Sequence, residues 1–178
     1  MIAVRRARVN DAPGIASVHV LTWRSAYAAI LPEATLTKLS FTRLTSQYDR
    51  MIRMGRAVFV AANVNPFATP TVLGFATARR ANDDALGQGE VETLYVLDDW
   101  QNRGLGGELL RIAAKYLVSN GANSAYAWVL RDNPAAYFYQ RLGAKCVAHS
   151  TTSVGGSEIP QSAYAWDPIE TLLDVNAR

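Results

Sequence analysis

A chain of 178 residues, 49% apolar and 19% charged, suits one soluble globular domain with a sizeable core, so a second domain and a disordered chain are excluded. The net charge of +3 conceals an asymmetry, with nine basic and three acidic residues in Met1 to Arg56 against nine basic and twelve acidic in Ala57 to Arg178; the arginines are scattered rather than striped, which argues against nucleic acid. No apolar run follows the early arginines or is long enough to span a bilayer, so no membrane association and a cytoplasmic location are expected.

Ile2 to Arg8 alternates as a strand, and Asn10 or Asp11 with Pro13 starts a helix whose apolar spacing continues to about Ile30. Pro32 begins another helical stretch, and Phe41, Leu44, Tyr48, Met51 and Ile52 predict a helix ending near Gly55. Ala57 to Ala62 and Val72 to Ala78 read as strands around a turn cluster, Asn63 to Pro70, and Ala81 to Gly89 reads as a polar hairpin loop. Val91 to Leu97 is a strand, Gly104 to Asn120 an amphipathic helix and Ala125 to Leu130 another strand. Such a right-handed crossover makes the two strands parallel. Asn133 and Pro134 open a short helix that ends at Leu142 and Gly143, and strands near Ala144 to Ser153 and Gln161 to Trp166 follow, the latter expected at the sheet edge. The expected fold is α+β: one mixed, mostly antiparallel sheet of about seven strands, helices on both faces and one parallel pair in the middle.

The single cysteine, Cys146, excludes an internal disulfide and a multi-cysteine metal cage, and is expected as a buried thiol. His19 and His149 lack partners at metal-ligand or triad spacing, so no metal site is expected. The chemistry concentrates elsewhere. Gln101, Asn102, Arg103, Gly104, Leu105, Gly106 and Gly107 join a strand to a helix, where unpaired backbone N–H groups and the helix dipole favour an anion. The dinucleotide fingerprint fails because Leu109 stands where a third glycine is needed, and no Gly-Lys-Ser/Thr is present for a Walker loop.

This loop resembles the Gln/Arg-x-x-Gly-x-Gly/Ala signature of the GNAT superfamily of N-acetyltransferases. Glu90 to Val96 resembles that family's fourth strand, and Asn133-x-x-Ala136-x-Phe138-Tyr139-x-x-Leu142-Gly143 its second conserved block. The resemblance implies an acetyl coenzyme A dependent N-acetyltransferase. It places the pyrophosphate on the amides of Asn102 to Gly107, with Arg103 adding a charge-assisted contact. It lays the pantetheine arm along Leu94, Tyr95 and Val96, where the fourth strand splays from its parallel neighbour. Asn133 matches a cofactor-contacting asparagine, although helix capping explains it as well.

The reaction needs a base, because an alkyl ammonium titrates near pH 10, and an acid for a departing thiolate of pKa roughly 8.5. The resemblance gives Tyr139 the acid's place near the sulfur, against a plain reading as a core aromatic. Glu90 stands where several family members hold a base, and Glu92, two residues on, is the other candidate and a contact for a cationic acceptor. Trp23 and Tyr27, four apart on one helix face, lie where the family builds part of its acceptor pocket. The expected acceptor is an amine of a small molecule or peptide, and the expected state a monomer or homodimer. Two other readings stay open: a module that binds or senses acyl coenzyme A without turnover, and an interaction protein using Trp23 and Tyr27 as an exposed patch.

Overall fold

A computed structural model of the chain describes residues 1–64 and 71–174; residues 65–70 of the expected turn cluster lie outside that range. Seven strands form one sheet in the order β1-β2-β3-β4-β5-β7-β6. They are β1 Ile2–Arg6, β2 Ala57–Asn63, β3 Thr71–Arg80, β4 Gly89–Val96, β5 Ala125–Leu130, β6 Lys145–Val154 and β7 Ser157–Trp166. Five helices accompany them: α1 Ala12–Ala26, α2 Glu33–Thr37, α3 Phe41–Arg53, α4 Leu105–Ser119 and α5 Ala135–Arg141. The expected mixed α+β sheet is therefore present.

The unbroken apolar run of β2 follows from cover on both faces. Val58, Val60 and Ala62 pack with α1 and α3 through Ile15, Val18, Leu44 and Tyr48. Ala57, Phe59 and Ala61 pack with α4 through Leu109, Ala113 and Leu117. Ser40 caps α3 by accepting the Arg43 N–H at 3.2 Å, and Arg5 grips Asp11 with two bonds of 2.7 and 2.9 Å, tying β1 to the entry of α1.

Three expectations need correction. Helix α1 stops at Ala26 rather than near Ile30: Tyr27 leaves the helical region at φ −111°, its hydroxyl held by Asn133, and the chain continues as turns to Pro32, with Leu31 N–H donating to the Tyr27 carbonyl at 2.8 Å. Strand β7 is not an edge: it lies between β5 and β6, since a two-residue Gly155-Gly156 turn, both residues at positive φ, folds β6 back onto it. Cys146 is exposed rather than buried, because it sits on the true edge strand β6.

All neighbouring strands are antiparallel except β4 and β5, the two joined by the α4 crossover. That parallel pair is in register only at Gly89 with Ala125 and Glu90 with Tyr126. Beyond Glu90 the two strands diverge in mid-sheet. A bulge coincides with the divergence: β3 steps from Thr77 opposite Thr93 to Ala78 opposite Val91, so Glu92 is the extra residue.

Candidate active site

The divergence opens a cleft with walls from three directions. Val91 to Val96 form one side, Trp128 and Val129 of β5 the other, and Thr22 and Ala26 of α1, with Tyr27 just past its end, the roof. Asp98 and Gln101 lie at one end, with Asn133 and Tyr139 also facing in. Because Leu97 N–H donates to the Leu73 carbonyl of β3 at 2.9 Å, strand alternation turns the backbone polar groups of Leu94 and Val96 toward the gap. Gln101 already occupies the Val96 carbonyl, its Nε2 donating at 3.1 Å, and also donates to Asp98 Oδ1 at 3.1 Å. The open edge is thus concentrated at Leu94 and the Val96 N–H.

Tyr139 is buried, its ring set edge-on against Trp166 with centroids 5.3 Å apart. Burial, then the nearby Tyr27, pushes its hydroxyl pKa well above that of ordinary tyrosine, so it carries its proton at neutral pH. Asn133 does two things at once. Its Oδ1 accepts the Ala135 N–H at 2.9 Å, capping α5, while its Nδ2 donates to the Tyr27 hydroxyl at 3.1 Å, linking α1 to α5 across the cleft. Tyr95 turns its ring to the α1 side, against His19 at 5.3 Å and Phe75 at 5.5 Å. It meets the cleft from that face.

The two aromatics of α1 have different places. Tyr27 is buried and lines the cleft; Trp23 is half-buried, edge-on to Tyr27 at 5.0 Å, and stands behind the wall. They do not form an exposed patch, which removes the interaction-protein reading based on them.

The glutamates also separate. Glu92 is among the residues that line the cleft and Glu90 is not. Arg79 contacts both, with Nη2 2.6 Å from Glu90 Oε2 and Nε 3.0 Å from Glu92 Oε1, while Arg56 lies 3.8 Å from Glu92. Burial raises the Glu92 carboxyl above its usual range, with Arg79 and Arg56 pulling it down and Glu90 pushing it up. Arg79 and Arg56 partly offset the charge of the two carboxylates. Sequence alone did not identify Arg79, because its role depends on the β3–β4 register and the bulge that brings two carboxylates under one guanidinium.

Between β4 and α4 the loop takes left-handed conformations at Asn102 (φ 57°) and Gly104 (φ 83°), the latter suited to glycine. Helix α4 has no side-chain cap, and the Leu105, Gly106 and Gly107 amides find no acceptor among the described residues. These are orphan donors at the positive end of a 15-residue helix. Gly106 has a second reason to be glycine: a Cβ there would sit 3.0 Å from Phe138 Cζ of α5. Arg103 lies over the Trp100 ring at 4.8 Å. Among the described residues no cluster of three or more metal-ligating side chains occurs, and no helix is long and apolar enough to cross a membrane.

Comparison with known proteins agrees with this arrangement. A profile of the acetyltransferase (GNAT) family matches residues 21–144. The chain is 30% identical over 173 residues to YuaI, an uncharacterized N-acetyltransferase of Bacillus subtilis, covering 97% of this chain and 96% of the relative. The solved PaiA N-acetyltransferase of Thermoplasma acidophilum, in complex with coenzyme A, is 24% identical with a TM-score of 0.66, the match covering 91% of this chain and 98% of that one. The structure of yncA of Salmonella typhimurium, described as a putative acetyltransferase with acetyl-CoA, has a TM-score of 0.65 at 19% identity and covers 99% and 96%. The orphan amides, the mid-sheet cleft and the span of these matches lead to one conclusion: the chain belongs to the acetyltransferase (GNAT) family.

Proposed function

We propose that the protein transfers acetyl from acetyl coenzyme A directly to an amine of a small molecule or peptide inside the β4/β5 cleft. The observation that carries this reading is the convergence on one cleft of an open strand edge at Leu94 and Val96, a protonated buried Tyr139 and the carboxylate of Glu92. The Leu105 to Gly107 amides, with Arg103 beside them, take the pyrophosphate, and the strand edge takes the amide-bearing arm. Those contacts leave the thioester beside Tyr139.

Glu92, through a water or directly, accepts the proton that the ammonium must lose before its nitrogen attacks. The amine nitrogen then forms a bond to the acetyl carbon, and the carbon–sulfur bond breaks with its electron pair on sulfur. Tyr139 donates a hydrogen bond to that sulfur. Its pKa lies above that of the thiolate, so it keeps its own proton and stabilises the developing charge by hydrogen bonding, while the second proton, shed by the nitrogen as the amide forms, is taken up by the thiolate through solvent. Glu92 replaces Glu90 as the favoured base because, of the two, only Glu92 lines the cleft. Glu92 and Asp98 also favour entry of a cation.

Tyr139→Phe tests the reading: turnover of acetyl coenzyme A with a responsive amine is expected to fall about 10²-fold while cofactor affinity persists. Unchanged turnover contradicts the assignment. A non-catalytic acyl coenzyme A sensor predicts tight binding of acetyl coenzyme A and no thiol release with any amine.

A further inference from the structure

Arg79 sits at the end of β3, opposite Glu90 in the antiparallel register, and its guanidinium reaches Glu90 and Glu92 together. In a regular strand, side chains two residues apart share a face. Here Glu90 and Glu92 share the face that Arg79 covers, and the bulge leaves Glu92 without a partner residue on β3, so its nearest cross-strand neighbour is the Arg79 guanidinium. These contacts are ion pairs, since Arg79 Nε and Glu90 Oε2 find no hydrogen-bond partner among the described residues, and the hold on the two carboxylates is electrostatic.

The other groups facing Glu92 are limited in number. Arg56, from the turn before β2, is 3.8 Å away, Glu90 is its neighbour on β4, and the buried Tyr48 hydroxyl approaches from α3. Tyr126 and Asp83 lie on the Glu90 side. Arg79 is thus the nearest cation to the carboxylate that faces the cleft, and the contact shared with Glu90 restrains its own swing.

We propose that Arg79 is a positioning residue for the transfer step, a grip that aims the Glu92 carboxylate into the cleft and balances its charge against Glu90, with Glu90 serving as the anchor rather than the base. This inference rests on the reading of Glu92 as the base. It assigns opposite electrostatic effects to two neighbouring residues. Loss of Arg79 removes the nearest positive charge and leaves Glu90 repelling Glu92, so the Glu92 titration moves up. Loss of the Glu90 charge removes the repulsion and leaves Arg79 to Glu92 alone, so the titration moves down. Arg79→Lys keeps the charge on a smaller head that cannot reach both carboxylates at once, and falls between wild type and Arg79→Gln.

The test is a carboxyl-carbon NMR titration of protein labelled with 13C-glutamate, the Glu92 signal being assigned by its absence in Glu92→Gln. The expected result is an upward shift of about one pH unit in Arg79→Gln and a downward shift in Glu90→Gln, each in protein with wild-type near-ultraviolet circular dichroism. With any amine that the enzyme acetylates, the acid limb of kcat/KM shifts in the same directions. An unmoved Glu92 midpoint in Arg79→Gln, or shifts of the same sign in both variants, overturns the inference. Wild-type turnover in Glu92→Gln instead overturns the reading beneath it, so the two failures are distinguishable. Should Arg79→Gln fail to fold, the Glu90→Gln shift and the intermediate Arg79→Lys value decide the matter.

Discussion

At the scale of single residues, the site depends on side chains whose neighbours set their protonation. Burial pushes the Tyr139 hydroxyl pKa still further above neutrality, and Glu92 titrates above the usual carboxylate range because burial outweighs two arginines. A base works only when deprotonated, so activity is expected to be lost as pH falls through the Glu92 value. Glu92→Gln is expected to lower kcat by about 10²-fold and abolish that acid limb, whereas Glu90→Gln retains an acid limb at lower pH; measured pH–rate profiles check both outcomes. The sequence placed both glutamates on the right strand, but period-two reasoning could not choose between them. The choice depended on a bulge and on Arg79, neither of which leaves a local signature. The motif spacing singles out Tyr139 and Asn133, both of which line the cleft, while the bond from Asn133 to Tyr27 spans 106 positions and leaves no such signal.

At the scale of elements, most boundaries followed from periodicity and caps, and the failures were at chain turns. The β6–β7 hairpin shows why: Gly155 and Gly156 mark the turn clearly, yet which of the two strands ends at the sheet edge is a tertiary choice. That turn yields a paired prediction. Both glycines are left-handed, but a Cβ at Gly155 would fall 2.2 Å from Thr35 Oγ1 while Gly156 has nothing within 4 Å. Gly156→Ala is expected to cost roughly 1 kcal/mol of backbone strain and Gly155→Ala clearly more, as read by chemical denaturation. Equal losses would mean that the hairpin tip does not rest on α2. The Gln101 to Gly107 loop carries a similar lesson: under the proposed function Gly106→Glu is expected to abolish coenzyme A binding, but it also pushes on Phe138. A melting curve must accompany the affinity measurement.

At the scale of the whole molecule, stability and function use different titrating groups. His19 lies in the α1–α3 core with Nδ1 2.7 Å from the Tyr48 hydroxyl, and burial lowers its pKa from 6.5 to about 4. Its folded value lies below its unfolded value, so its contribution is present above pH 6.5 and lost as pH falls toward about 4. The slope is at most about 1.4 kcal/mol per pH unit. Glu92, raised on folding, acts with the opposite sign, so the effect is read as the difference between wild type and His19→Gln across that window. Asp11, held low by Arg5 and the Arg8 N–H against the cost of burial, loses its contribution only in stronger acid. The central claim concerns the cleft as a place of transfer, and thiol release from acetyl coenzyme A across a panel of amines tests it most directly. The account predicts stoichiometric thiol and acetylated amine, with no acetyl-enzyme detectable by mass spectrometry before amine is added. Saturable acetyl coenzyme A binding with no thiol released for any amine would contradict it.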